Sequence, residues 1–156
     1  MADIIYLTRE GREKLLKELE HLKKVRRPET TNEIERAREL GDLKENFEYH
    51  AAKDELSNIM RRITELETKL SKVRLIEDQN MDANTIFIGA TVTVKDEEGD
   101  TTKYTIVDSE EADPTKGKIS VQSPLSQGLM GHKVGETVKV ALPNTTIELK
   151  IFKIER

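Results

Sequence analysis

YHAAKDELSNIMRRITELETKLSKV, residues 49–73, puts apolar side chains at Tyr49, Ala52, Leu56, Ile59, Ile63, Leu66, Leu70 and Val73. The steps alternate between three and four residues, and charged or polar residues fill the gaps. A strand would need a period of two. This spacing instead lines one face of an α-helix and gives the narrow seam of a coiled coil. It predicts a helix from about Glu45 to Ile76, roughly 48 Å long at ~1.5 Å per residue.

A seam needs a partner, and one lies upstream. Leu15, Leu19, Leu22, Ile34, Ala37 and Leu40 make a second stripe, which passes through Arg26 and Thr30 in its middle. Steps of four accumulate there, a stutter in the heptad pattern. Pro28 lacks an amide hydrogen and disfavours helical geometry at Arg27, so a kink or short break is expected at Arg27 and Pro28. The first stripe ends at Leu40 and the second begins just beyond, so the turn falls at Gly41–Lys44. Residues 1–77 are therefore expected to form an antiparallel helical hairpin, with GDLKENFEY (residues 41–49) at its far end.

After Asp78 the texture changes. DQNMDANT (78–85) reads as a polar linker, and residues 86–156 as a small α+β domain. ATVTVKD and TTKYTIVD flank the turn DEEGD as a β-hairpin, and KISVQ, TVKVAL and TIELKIFKI read as further strands. SPLSQGLMG offers Ser123 as N-cap, Pro124 at the first helical position, and Gly128 or Gly131 as the stop of a short helix.

Composition narrows the function. There are no cysteines, which excludes disulfides and thiolate metal sites and fits a reducing, cytoplasmic location. No apolar run is long enough to span a bilayer, and the N-terminus lacks the pattern of a signal peptide. Residues 1–77 hold 17 Lys/Arg and 17 Asp/Glu, so the net charge of −4 falls wholly on residues 78–156. A protein that coats duplex nucleic acid shows a basic excess on some part. A protein partner with local nucleic-acid contact fits better, and a hairpin closed within one chain needs no dimer.

Asp42 and Glu45 admit two readings. Asp-x-x-Glu at a helix start resembles a capping box, with both acids favoured by the helix dipole. Alternatively, two carboxylates displayed at the end of a rod form part of an oxygen-ligand site for Mg²⁺, which needs six ligands, so a partner must supply the rest. On spacing alone both stay open. Glu48 reads as a solvated helix charge, Tyr49 as seam packing, and His21, His50 and His132 as scattered, without metal-ligand spacing.

GDLKENFEYHAAKDE (41–55), VRRPE (25–29), IGATVTV (88–94) and ISVQSPLSQGLMGHKVGETV (119–138) together resemble the Gre transcript-cleavage factors of bacterial RNA polymerase. The resemblance spans essentially the whole chain; Phe47, where the family has a small residue, departs from it. It implies an FKBP-like second domain and a coiled coil that enters the polymerase's secondary channel and reaches the active centre of a backtracked enzyme. It further implies that Asp42 helps to hold a Mg²⁺ shared with the polymerase, and that Glu45 positions or polarises the attacking water. Arg36, Arg38, Lys44 and Lys53 become candidate contacts for the extruded RNA 3′ segment, and Asp113, Ser123 and Pro124 candidate docking residues. On this view the chain is no enzyme and has no cofactor of its own; it stimulates the polymerase to cut its transcript. A channel-plugging inhibitor and a non-catalytic coiled-coil adaptor are the alternatives. A prolyl isomerase is disfavoured, because the second half has only Phe87, Tyr104 and Phe152 to line a pocket.

Overall fold

The structure is a computed structural model that describes residues 4–41, 46–80 and 82–156. Contacts group residues 12–73 into one unit, and Ile4–Gly11 with Arg74–Arg156 into another. The segment Ile4–Gly11, read from the sequence as part of the hairpin, thus clusters with the sheet residues.

In the first unit, α1 (Arg9–His21) runs through a π-helical stretch, Leu22–Arg26, into α2 (Arg27–Glu39), and α3 (Phe47–Leu70) returns. Contacts between the helices run in opposite sequence directions from the turn outward: Asn46 meets Ala37, Glu55 pairs with Arg26 at 3.2 Å and Arg62 with Glu18 at 2.8 Å, while the longer reach of Lys23 to Glu67, at 3.0 Å, adds a further cross-helix pair. The pair is therefore antiparallel, as the stripes require. These half-exposed ion pairs each add little stability. The apolar seam carries the packing: Leu15, Ala37, Ala52, Ile59, Ile63 and Leu66 are buried.

No break interrupts the helix at Arg27 and Pro28. His21, Arg26 and Arg27 all keep right-handed helical angles, and the Arg27 amide donates to the Leu22 carbonyl, five residues back. A π-turn holds one more residue than an α-turn and so absorbs the drift that successive steps of four create. Pro28 lies where the π-helical stretch returns to α-helix, one residue after the Arg27 amide that bonds to Leu22. The stripe consequently does pass through position 30, and Thr30 is fully buried in the seam.

The second helix is shorter than its seam suggests. It starts at Phe47, not Glu45, and ends at Leu70; Val73–Leu75 forms β2, which pairs with β1 (Ile5–Leu7) in a two-stranded sheet. In the second unit, β3 (Thr91–Lys95), β4 (Thr101–Val107), β5 (Lys118–Ser120), β6 (Thr137–Ala141) and β7 (Thr146–Glu155) make a sheet of order β5-β4-β3-β7-β6. The expected β3–β4 hairpin is present, with Asp96 accepting from the amides of Glu98 and Asp100 in its turn. β5 joins β4 in parallel.

Alternation along the strands sends Val92, Val94, Ile106, Val138, Val140, Leu149 and Ile151 into one core, with α4 (Pro124–Leu129) packed on it through Leu129. Gly128 does not stop this helix. It lies within it, and a Cβ there would come 2.9 Å from a Val140 methyl. The α+β class is as expected. The start of α1 is held within this second unit: Glu111 accepts from the Thr8 amide at 3.0 Å and from the Thr8 hydroxyl, and Glu77 accepts from the Arg9 amide at 3.1 Å. The two carboxylates satisfy donors that a helix start leaves free.

Two substitutions test the seam. Leu66→Ala removes a fully buried side chain and is expected to cost about 2–5 kcal/mol in denaturant unfolding. The Thr30 hydroxyl is buried without a hydrogen-bond partner, so Thr30→Val, which keeps its shape, is expected to stabilise the protein by about 1 kcal/mol.

Candidate functional site

Where the hairpin helices meet the turn, the chain is organised by Asn46. Its backbone is extended (φ −89°, ψ 94°), and its side-chain oxygen accepts from the Tyr49 amide at 3.1 Å, an N-cap for α3. Its amide nitrogen donates across the hairpin to the carbonyl of Ala37 in the last turn of α2. The same carbonyl accepts from the Leu40 amide at 3.1 Å. Gly41, with φ +152°, then takes the chain out of the helix through a conformation that other residues avoid.

Asn46 corrects the capping-box reading: α3 starts beyond Glu45, and its cap acceptor is the carboxamide, not Asp42. Asp42, Lys44 and Glu45 lie outside the described residues. Two side chains flank that segment openly, Leu40 at 70% exposure and Phe47 at 87%. The Phe47 ring is thus largely open to solvent, and Leu40 departs from the seam role its spacing suggests.

Of the three basic candidates among the described residues, Arg36, Arg38 and Lys53, the structure brings two together. The Arg38 guanidinium lies 5.9 Å from the centre of the Tyr49 ring, and the Lys53 ammonium 5.3 Å from it. Both are cation–π distances. Tyr49 is half-buried, as its seam position requires, and His50 meets its ring edge-on at 5.5 Å. Hydrogen bonding from Arg38, with the charge of Lys53 added, holds the Tyr49 phenol below the ordinary tyrosine range. Arg36 is placed apart, in a shallow groove of about 460 Å³ that it shares with Glu33, Glu48 and Glu55.

In the second unit, Asp113, Ser123 and Pro124 make turn and cap contacts. Asp113 accepts from the Thr115 amide at 3.2 Å and from its hydroxyl at 2.6 Å, opening a 3₁₀ turn. Ser123 caps α4 by accepting from the Ser126 amide at 3.2 Å, with Pro124 at the first helical position. Pro124 is exposed, and Asp113 and Ser123 are partly so. Among the described residues no three His, Asp or Glu side chains converge on a metal position. None of the described helices is long and apolar enough to cross a membrane.

The chain's two units, a helical hairpin and a small sheet domain, each fall largely within a family model, and the models specify a class of transcription factor. Residues 5–75 match the model for the N-terminal part of transcription elongation factors, and residues 81–156 that for the GreA/GreB C-terminal part. A transcription elongation factor GreA of Caldanaerobacter subterraneus subsp. tengcongensis is 45% identical over 157 aligned residues, covering all of both chains. Another, of Nautilia profundicola, is 48% identical over 151, covering 96% of this chain and 91% of its own. Among solved structures, Gfh1 of Thermus thermophilus, a GreA factor homolog, is 29% identical over 99% of this chain and 100% of its own, with a TM-score of 0.46. The chain belongs to the GreA/GreB family of transcription elongation factors.

The Tyr49 cluster can be checked by absorbance. The phenolate signal that Tyr49→Phe removes should appear at lower pH in the parent than in an Arg38→Met background. Cations favour the charged phenolate, so losing one must raise the titration midpoint.

Proposed function

We propose that this chain reactivates backtracked RNA polymerase by entering its secondary channel and stimulating the polymerase to cleave its own transcript. The observation that carries the reading is an antiparallel helix pair, joined through the segment that holds Asp42 and Glu45, in a chain related over its full length to GreA factors. Two carboxylates are oxygen donors of the kind Mg²⁺ prefers, and too few to fill its six positions. They fit a share in a site that the polymerase completes.

In this reading Asp42 contributes a carboxylate to the shared ion, and Glu45 orients the attacking water and polarises it. A divalent ion bound there supplies electrostatic clamping and activation of the incoming oxygen. Arg38 and Lys53, gathered on Tyr49, face the phosphates of the extruded RNA 3′ segment, with Lys44 and Arg36 as further contacts. Phosphate contacts need only positioned charge, which the Tyr49 ring provides by holding both cations. Asp113, Ser123 and Pro124 form the docking point on the rim of the channel. The chain then works as a monomer in the cytoplasm and supplies residues to a reaction whose enzyme is the polymerase.

The test uses halted polymerase complexes carrying end-labelled RNA. The wild-type chain is expected to shorten the transcript, and Asp42→Asn to slow this on the order of 10-fold or more. Blocked elongation without cutting would support a channel plug instead. No effect of either chain would leave only the adaptor reading.

A further inference from the structure

Resting on the cleavage reading above, we propose that Asn46 is a positioning residue that ties the two arms of the hairpin to each other where they flank, in sequence, the segment carrying Asp42 and Glu45. One planar carboxamide makes both contacts: its oxygen accepts from Tyr49 at the start of α3, and its nitrogen donates to Ala37 at the end of α2. The two backbone groups belong to different helices and bracket the acid-bearing segment in sequence. That link joins the end of α2 to the start of α3 on either side of the acids in sequence. Sub-ångström placement is what a shared metal site demands of its supporting groups.

Side-chain chemistry makes the claim selective. Only a carboxamide carries an acceptor and two donors at this reach. Aspartate caps helices as well as asparagine does and gains from the helix dipole, but it has no hydrogen for the Ala37 carbonyl. If Asn46 were a cap and nothing more, Asn46→Asp would be silent. If it is the link between the arms, the same change keeps α3 and releases α2.

The absence of native cysteine lets spin labels be placed at Glu39→Cys and Glu48→Cys, one on each arm. Asn46→Asp is expected to leave helix content and melting temperature close to the parent, while the distribution of distances between the labels broadens. In the cleavage assay, the Mg²⁺ needed for half-maximal rate should rise on the order of 10-fold. Added negative charge alone would lower that requirement, so the direction separates positioning from simple electrostatics. Asn46→Ala, which loses both contacts, should show the same broadening. An unchanged label distribution in Asn46→Asp overturns the proposal, and so does an unchanged Mg²⁺ requirement in a factor that cleaves. Should the wild-type chain not stimulate cleavage, the cleavage reading falls, and the label distances alone decide the role of Asn46.

Discussion

One row of apolar side chains on each of two antiparallel helices holds the described residues of the first unit together. Everything along the hairpin therefore depends on those rows staying in phase. The row is graded. Leu15, Ile63 and Leu66 are buried at one end, and Ala37 and Ala52 at the other. Helix separation follows the size of the side chains between the axes. Small side chains such as Ala37 and Ala52 permit a close approach of the backbones near the turn, where Asn46 reaches a carbonyl on the opposite helix.

The sheet unit has a more redundant construction. Eleven buried residues from several strands, α4 and the segment 86–90 form one core, so no single contact carries it. Caps supply the rest of its precision: Ser123 starts α4, Asp113 starts a turn, and Glu111 with Glu77 receives the first amides of α1. The residues proposed for docking thus also shape their own loops. A carboxylate or hydroxyl has enough lone pairs to cap a turn and still meet a partner.

Much of this was legible in the sequence because burial imposes period. All eight apolar positions from Tyr49 to Val73 are buried or half-buried, and the strands from Thr91 onward fall where alternation and turn residues put them. The misses share a cause. β1 is three residues long and shows no alternation, and its partner, Val73–Leu75, continues the helical seam without interruption, so only pairing distinguishes strand from helix there. Asn46 was overlooked because Asp42 and Glu45 match a capping box more conspicuously. Its cue was its place three residues before Tyr49, the first residue of the seam. The link to Ala37 had no local signal, since it depends on how closely two helices approach. As for chemistry, spacing left the two acids between cap and metal ligand. The structure removed the cap of α3 from them, and the family relation supplies the rest of the proposal.

The π-turn at Leu22–Arg26 has a consequence for how such an arm can change length over evolutionary time. A turn that already holds one surplus residue can surrender it: loss of one codon within this stretch would return the backbone to ordinary α-helix, and the positions from Thr30 onward would still face the seam. Elsewhere in the helix, the same loss would rotate every downstream side chain by about 100° (one residue of a 3.6-residue turn) and pull the row out of register. The stretch is thus a joint at which arm length can drift while the working end keeps its orientation.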